Sequence, residues 1–356
     1  CPVYANAARV SHRENADMSK NQAWLELSVE ETLDPSLPII DPHHHLWDFR
    51  ADGVSPRYLM DEFQTDLSAG HNIVATVFIE CGTMYKTDGP KAFHSVGEME
   101  FANGIAAMSA SGMYGATRVG AGLVGNADLC LGEAVGEVLD ALAVAGGGRF
   151  RGIRDQANWE ADERIRNGRF VNGPHAYMDP DFRIGFSELE KRDLSFEAWC
   201  FHTQITELTD LAQEFPNTRI VLNHFGGPLG VGPYAGRQDE VFEIWKGDVA
   251  KLAGCPNVYA KLGGINMDIN GFGWEGQDRP PESATLMDAT RRFYDHTISC
   301  FGVSRCMFES NFPVDKLSCS YNTLWNSFKR MTEEYSADER TALFHDTANK
   351  FYRLGL

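Results

Sequence analysis

Short apolar runs rich in β-branched residues alternate with longer amphipathic segments along most of the chain. Eight such runs occupy residues 38–43, 73–80, 117–124, 150–154, 195–202, 219–224, 257–262 and 306–310. Segments with helical periodicity separate or follow them, at residues 96–109, 133–145, 207–215, 241–252, 286–301 and 338–352. Strands that alternate with helices pair in parallel, so eight units predict an α/β protein with a (β/α)₈ TIM barrel over residues 37–356.

The alternative to a barrel is an open, doubly wound sheet. No glycine-rich phosphate fingerprint follows the first run, which favours the barrel. Residues 1–36 are polar and of mixed charge, and we interpret them as an N-terminal arm. Three long segments after predicted strands, residues 155–193, 226–234 and 263–283, are expected to shape a substrate pocket.

Composition narrows the choice of partners and compartment. The net charge of −18 argues against nucleic acid or an anionic membrane as a partner. No apolar run approaches the roughly 20 residues that a membrane span needs. The eight cysteines form no CxxC pair, which is typical of reduced thiols in a cytoplasmic protein. We therefore expect a cytoplasmic protein with a small-molecule substrate, and leave open whether it forms a homo-oligomer.

Polar residues whose side chains can act as acids, bases or ligands fall at the ends of the predicted strands. They are His43, His45, Glu80, Arg154, His202, His224, Glu309 and Asn311. Catalytic groups of barrel enzymes lie at the carboxyl ends of the strands and in the loops that follow. The sequence therefore predicts an active site at this rim.

The first strand carries the sharpest local pattern. With a period of two, Asp41, His43 and His45 are expected to share one face, while His44 points the other way. Two imidazoles at this spacing can hold one divalent ion if further ligands converge from other strands. A histidine pair alone is a weak signal, and His202 and His224 at two further strand ends strengthen it.

Five motifs carry a family resemblance. They are Asp41-Pro42-His43-His44-His45-Leu46-Trp47-Asp48, Arg149-Phe150-Arg151-Gly152-Ile153-Arg154, Asn223-His224-Phe225-Gly226-Gly227-Pro228, Tyr259-Ala260-Lys261-Leu262-Gly263-Gly264 and Ser310-Asn311-Phe312-Pro313-Val314-Asp315. Together they resemble the amidohydrolase superfamily (amidohydrolase 2 type), in its lactonase-like branch. That branch is similar to the lactone hydrolases of sugar acids and of pyrone dicarboxylates. The resemblance covers roughly residues 37–355.

The resemblance implies roles for individual residues. His43, His45 and His202 match metal ligands, with zinc as the expected ion and manganese or calcium as alternatives, although the family also contains metal-independent members. His224 matches the strand-six histidine. Arg151 or Arg154 matches a position that binds a substrate carboxylate, and Arg154 is preferred because it is nearer the carboxyl end.

One position departs from the family pattern. The strand-eight aspartate, the usual base, is Asn311 here, and an amide cannot accept a proton at neutral pH. Glu309 lies two residues earlier on the same strand face and is the preferred replacement, with His224 and Asp315 as alternatives. Among the remaining candidates, Glu80 is expected either to contact substrate or to hydrogen-bond a strand-one histidine. Trp274 is expected to contact substrate, and Lys261 to form a structural ion pair.

The favoured function is hydrolysis of a lactone of a small acidic substrate, with or without a divalent metal. A metal-dependent, non-oxidative decarboxylase of an aromatic or unsaturated acid is the first alternative. A catalytically silent ligand-binding barrel is the second alternative. It is retained because Asn311 stands where the family has its catalytic aspartate.

Overall fold

In a computed structural model, which describes residues 21–50, 55–169 and 173–356, the chain forms a barrel of eight parallel strands. The strands are β1 (Pro38–His44), β2 (Asn72–Ile79), β3 (Arg118–Gly125), β4 (Phe150–Gln156), β5 (Ser195–Trp199), β6 (Ile220–Leu222), β7 (Val258–Leu262) and β8 (Cys306–Phe308). Each pairs with its sequence neighbours. Backbone bonds from His45 N to Phe312 O (2.8 Å) and from Asn311 N to His43 O (2.9 Å) join the segment after β8 to the end of β1. The predicted TIM barrel is confirmed.

A helix follows every strand. These are α1 (Met60–Leu67), α2 (Val96–Ala110), α3 (Val135–Ala145), α4 (Pro180–Glu190), α5 (Ile205–Glu214), α6 (Gln238–Ala253), α7 (Ser283–Phe301) and α8 (Tyr321–Met331), followed by α9 (Ala337–Thr341) and α10 (Thr347–Tyr352). The sequence pattern did not predict α1, α4 or α8. For α4 the signals were present, because the Asp179 side chain caps the helix and Pro180 occupies its first turn.

Three strands end earlier than the apolar runs suggested. β5 ends at Trp199, β6 at Leu222 and β8 at Phe308, whereas the runs extended to residues 202, 224 and 310. His202 and His224 therefore begin short 3₁₀ turns instead of ending strands. The alternation of side chains expected of a strand does not hold for them.

The interior of the barrel is apolar below and charged above. Its floor is an apolar cluster that includes Ile40, Val77, Val221 and Met307, and α10 closes it from beneath with Phe351 and Tyr352. Arg154 of β4 is paired in register with Glu197 of β5, and Glu197 is paired with Val221 of β6. A second, larger apolar cluster fills the space between the strands and the surrounding helices.

A bulge in β1 changes the face on which its side chains lie. Asp41 pairs with Thr76, but the next registered pair is His44 with Phe78, so β1 carries one extra residue. The Asp41 carboxylate accepts from Tyr321 OH in α8 (3.0 Å) and from Ser310 N (3.0 Å). The expectation that Asp41 shares a face with His43 and His45 is therefore wrong. His44 points away from them as expected, with Nε2 2.9 Å from Thr76 Oγ1.

The described part of the predicted arm lies against α7, α8 and the loop before α7. Trp24 Nε1 donates to Gln277 O (2.9 Å), and Leu33 N donates to Asn326 Oδ1 (2.9 Å). The Glu30 carboxylate accepts from Ser283 N (2.5 Å). Residues 1–20 lie outside the described residues, and the arm's boundary at residue 36 remains a prediction. None of the helices in the described ranges is long and apolar enough to cross a membrane.

Candidate active site

Two β1 histidines converge at the carboxyl rim. His43 Nε2 and His45 Nε2 are 3.3 Å apart, and both residues are buried. His45 Nδ1 lies 2.9 Å from the carbonyl oxygen of Ile79, which can only accept, so Nδ1 carries the proton and Nε2 a lone pair. His43 Nε2 lies 3.4 Å from Arg154 Nη1, which can only donate, so this Nε2 is also unprotonated. Burial lowers the pKa of both imidazoles well below the ordinary value.

Glu309 joins His43 to His224. Its Oε1 lies 2.7 Å from His224 Nδ1, and its Oε2 lies 2.7 Å from His43 Nδ1. Because a carboxylate accepts, His224 Nδ1 carries a proton and His224 Nε2 keeps a lone pair. Glu309 is fully buried, whereas His224 contributes to the wall of a cavity. The carboxylate therefore acts through the histidine that it orients.

The turn that presents His224 is tightly constrained. His224 and Phe225 have φ angles of 52° and 57°, a left-handed conformation that L-residues adopt rarely. A Cβ atom at Gly264 would lie 2.0 Å from His224 Nδ1, and one at Gly263 would lie 2.2 Å from the Glu309 carbonyl oxygen. The two glycines after β7 therefore make room for the pair of Glu309 and His224.

A buried charge network lies beside this pair. Lys261 Nζ donates to Glu197 Oε2 (2.8 Å) and lies 3.1 Å from His43 Nδ1. Glu197 also accepts from Asn223 Nδ2 (2.6 Å) and from the hydroxyl of Tyr352. The expected ion pair of Lys261 is present, and its partner is Glu197.

Arg154 is held by Glu80. Its Nε donates to Glu80 Oε1 (2.7 Å), and its Nη2 donates to the Glu80 carbonyl oxygen. Gln156 Nε2 donates to the same Oε1 at 3.0 Å. Glu80 is thus the partner of a β4 arginine, not of a β1 histidine.

A cavity of about 400 Å³ opens above these groups. Its described wall contains His45 and His224, the aromatic residues Trp47, Trp199 and Phe201, and the four arginines Arg50, Arg154, Arg166 and Arg169. Asp268 is the one carboxylate among these described residues. Arg154 is paired with Glu80, and the wall combines arginine side chains with aromatic surfaces that suit a small ligand.

The donor atoms at the rim fit a divalent ion. Two imidazole nitrogens about 2.05 Å from a tetrahedral ion are about 3.3 Å apart, which is the separation of the two β1 Nε2 atoms. Both nitrogens carry lone pairs that could bind an ion, and the lone pair of His43 Nε2 also faces Arg154 Nη1 at 3.4 Å. Glu309 Oε2 is buried without an aligned hydrogen-bond donor. Among the described residues, the group of His43, His224 and Glu309, whose ligand atoms all lie within 4.8 Å of one another, is joined through Glu309 and does not include His45.

The structure does not bring every predicted site residue to this group. His202 Nδ1 accepts from Leu229 N (3.4 Å), its ring packs against Tyr234, and it does not join His43 and His45 in a group within 4.8 Å among the described residues. Arg151 donates to the carbonyl oxygen of Gly148 (2.8 Å), away from the cavity. Trp274 is stacked on Phe272 with ring centroids 5.7 Å apart, outside the described cavity wall.

The strand-eight candidates lie close together. Asn311 lines the cavity, has φ 55°, and donates through Nδ2 to Asp315 Oδ1 (2.9 Å). Burial raises the pKa of Asp315 to about 8, so this carboxyl is mostly protonated at neutral pH. Asp315 is therefore less suited than His224 to accept a proton from water.

Sequence reasoning missed several groups. Glu197 gave no signal beyond a charged residue inside an apolar run, which is itself a mark of a paired interior carboxylate. Gln156, Arg166 and Arg169 belong to residues 155–193, which were predicted to shape a pocket without any single residue being assigned to it. Their contribution to the cavity depends on how that loop folds back over β4.

Comparison with known proteins assigns the family. Residues 40–354 match the family model described as Amidohydrolase, and the chain belongs to that family. The resemblance inferred from the motifs and the expectation of an enzyme are confirmed.

Individual relatives extend along most of the chain. It is 34% identical over 336 residues to the uncharacterized protein y4mH of Sinorhizobium fredii, covering 89% of this chain and 99% of that one. It is 29% identical over 209 residues to an L-fucono-1,5-lactonase of Burkholderia multivorans, covering 58% of this chain and 64% of the lactonase. A crystal structure of a Burkholderia multivorans amidohydrolase with bound zinc has the same fold, with a TM-score of 0.68 at 24% identity, and the match covers 88% of this chain and 99% of that one.

Proposed function

We propose that this protein hydrolyses the lactone of a small carboxylic acid and that His43 and His45 hold a divalent ion, zinc in the first instance. The observation that carries the proposal is the placement of Glu309, which orients His224 at the wall of the cavity. A lactonase among the relatives and a zinc-bound amidohydrolase of the same fold support it.

His224 is the proposed general base. Its Nδ1 proton is committed to Glu309 Oε1 at 2.7 Å, so Nε2 is the nitrogen that takes a proton from the attacking water. The water oxygen bonds to the lactone carbonyl carbon, and the bond from that carbon to the ring oxygen then breaks. The protonated His224 returns its proton to the departing ring oxygen, which gives a hydroxy acid.

The ion would be bound through the Nε2 atoms of the β1 pair. When bound, it would polarise the lactone carbonyl and lower the pKa of the attacking water. Arg154 Nη1, 3.4 Å from His43 Nε2, adds a positive charge on the same side of the site. On the other side of the His43 ring, Nδ1 lies 2.7 Å from Glu309 Oε2 and 3.1 Å from Nζ of Lys261, which pairs with Glu197.

A lactone panel followed by acid release tests this function. Suitable compounds are L-fucono-1,5-lactone and 5-oxotetrahydrofuran-2-carboxylate, each with a pH indicator. We expect ring opening by the wild type and a loss of ~10²–10⁴-fold in kcat for Glu309→Gln, the usual effect of losing general-base assistance. Glu243→Gln, on the exposed face of α6, is the matched control and should leave kcat unchanged.

Two outcomes would redirect the proposal. Full activity in Glu309→Gln would assign proton acceptance to a group independent of that carboxylate. If every lactone is inert and CO₂ is released from an aromatic or unsaturated acid, the decarboxylase alternative replaces the hydrolase.

A further inference from the structure

We propose that Asn158 determines substrate specificity by binding a hydroxyl group of the lactone. This inference rests on the proposed function and names one substituent of its substrate. Asn158 contributes to the cavity wall and is 4% exposed. Its Oδ1 atom is buried without a hydrogen-bond partner among the described residues. A buried amide oxygen without a donor is unfavourable, and a ligand that supplies the donor removes that cost.

Asn158 is the last of three polar residues that β4 and its extension place on one face. Arg154, Gln156 and Asn158 all line the cavity, as expected of residues two apart along a strand. The guanidinium of Arg154 is paired with Glu80 (Nε to Oε1, 2.7 Å). Gln156 uses both ends of its amide, because Nε2 donates to Glu80 Oε1 (3.0 Å) and Oε1 accepts from Arg169 N (3.1 Å). Of the three side chains, Asn158 is therefore the one with an unused acceptor.

The backbone on both sides of Asn158 is fixed by hydrogen bonds. Ala157 N donates to Trp199 O (2.9 Å), so the pairing of β4 with β5 continues one residue beyond the end of β4. Asn158 O accepts from Gly168 N (3.0 Å), which closes the loop of residues 158–168. The amide is therefore presented from a backbone that is already ordered before a ligand binds, which lowers the entropic cost of binding.

The strand register places Asn158 one layer above the reaction centre. Gln156 is paired with Trp199, whose ring centroid lies 4.9 Å from that of His224. Residues two apart along a strand are separated by about 7 Å. A hydrogen bond of about 2.8 Å to the Asn158 amide then leaves roughly 4 Å for the ligand to span. One short substituent on a small lactone ring can span that distance when the lactone carbonyl lies at His224.

The chemistry of the amide favours a hydroxyl over a charged group. A hydroxyl donates to Oδ1 and can also accept from Nδ2, so it matches both ends of the Asn158 amide. An ammonium group only donates and a carboxylate only accepts. Either charge would also have to leave water for a wall that includes Trp199 and Phe201. The substrate class is therefore a small lactone that carries a free hydroxyl on a ring substituent.

Binding of two lactams that differ by one hydroxyl tests the inference without any turnover. They are 5-(hydroxymethyl)pyrrolidin-2-one and 5-methylpyrrolidin-2-one, both measured by NMR titration. We expect the wild type to bind the hydroxymethyl lactam about 10-fold more tightly than the methyl lactam. Asn158→Leu, which is similar in shape and has no polar side-chain atom, should remove that preference. Asn158→Ala should remove it as well, so the test does not depend on whether leucine fits.

Thermal stability separates this role from a structural one. Asn158 Oδ1 has no partner to lose, so Asn158→Leu should leave Tm unchanged or raise it. Asn257→Leu is the matched control, because Asn257 lies just before β7, at the opposite end of the barrel, and its Nδ2 donates to three carbonyl oxygens. This control should lower Tm and keep the preference for the hydroxymethyl lactam. An equal loss of Tm in Asn158→Leu, with the preference retained, would assign Asn158 a structural role.

The kinetic counterpart uses 5-(hydroxymethyl)oxolan-2-one and 5-methyloxolan-2-one. The wild type should open the hydroxymethyl lactone with a kcat/KM about 10-fold higher, and Asn158→Leu should lower this ratio to about 1. Equal binding of the two lactams by the wild type, or an undiminished preference in both Asn158 variants, would overturn the inference. If neither lactone is opened but lactam binding still depends on Asn158 and on the hydroxyl, the proposed function fails and the subsite stands.

Discussion

The β1 edge and the turns after β6 and β8 build the same site in different ways. His43 and His45 lie at the end of a strand, and their ring nitrogens are set by ordinary partners such as the Ile79 carbonyl oxygen. His224 and Asn311 lie just beyond strands that have already ended, at φ angles of 52° and 55°. One half of the site uses extended strand backbone with a bulge between Asp41 and His44, and the other uses left-handed conformations that cost energy.

This difference indicates which substitutions should alter the active site without altering the barrel. The β1 pair depends on the strand itself and on closure with β8. The position of His224 depends on Gly264, which has no side chain and leaves room for the imidazole. The first half is therefore sensitive to loss of its ligand atoms, and the second to small changes in neighbouring volume.

The largest effect is expected from removing the β1 histidine pair. His43→Ala combined with His45→Ala removes both Nε2 atoms and should abolish lactone opening together with zinc retention. The fold should survive, because these side chains lie above the apolar floor formed by Ile40, Val77 and Val221. Metal content by mass spectrometry and far-UV circular dichroism check both statements. Wild-type turnover in the double variant would remove the pair from the mechanism.

The position of His224, in the left-handed turn after β6, is tested by adding one methyl group at Gly264. Gly264→Ala would place Cβ 2.0 Å from His224 Nδ1 and should push the ring away from Glu309. We expect kcat to fall about 100-fold, as for loss of an oriented base, and stability to fall by about 1–3 kcal/mol from overpacking.

Gly273→Ala is the control for that variant. Gly273 has φ 65°, close to the 68° of Gly264, but a Cβ atom at this position would have nothing within 4 Å of it. The variant should carry the backbone penalty of about 1 kcal/mol and no loss of kcat. Equal kcat values for the two variants would show that backbone strain, not the clash with His224, is responsible.

Restoring the family residue on strand eight should have a moderate effect. Asn311→Asp places a carboxylate at the cavity wall near the β1 pair and should tighten zinc binding about 10-fold. The new carboxylate would face Asp315, to which Asn311 now donates at 2.9 Å, so some stability should be lost. Competition with a chromophoric chelator measures the affinity. An unchanged zinc affinity would place the ion beyond the reach of residue 311.

The smallest effect is expected at His202. Its contacts are Leu229 N and the Tyr234 ring, so His202→Ala should loosen that wall and lower stability by about 1 kcal/mol. Zinc stoichiometry should stay the same. A variant that loses its zinc would instead restore His202 as a ligand, as the family resemblance implies.

The sequence predicts the strands of this protein better than it predicts the β1 bulge and the turns that follow the strands. Alternating runs located all eight strands, because parallel barrel strands are buried and apolar. Alternation also placed His44 opposite its neighbours, but it failed at Asp41, where a bulge adds one residue. It failed again at His202, which lies three residues beyond the end of β5.

Local sequence patterns could not identify which distant residues form ion pairs. Lys261 with Glu197, and Arg154 with Glu80, form only when the barrel closes, so no spacing in the sequence specifies them. For Lys261 the sequence still predicted an ion pair, because a lysine inside an apolar strand is unstable without a partner. What it could not supply was the identity of that partner.

The residues of the buried charge network, including Tyr352, are synthesised at widely separated times during translation. The Tyr352 hydroxyl donates to Glu197, 155 residues earlier, and Lys261 reaches back 218 residues to His43. On the ribosome, β1 and β5 emerge long before the groups that neutralise and cover them. His43 therefore waits through most of translation for Lys261 and Glu309, and the site can be complete only after β8 and α10 have been synthesised.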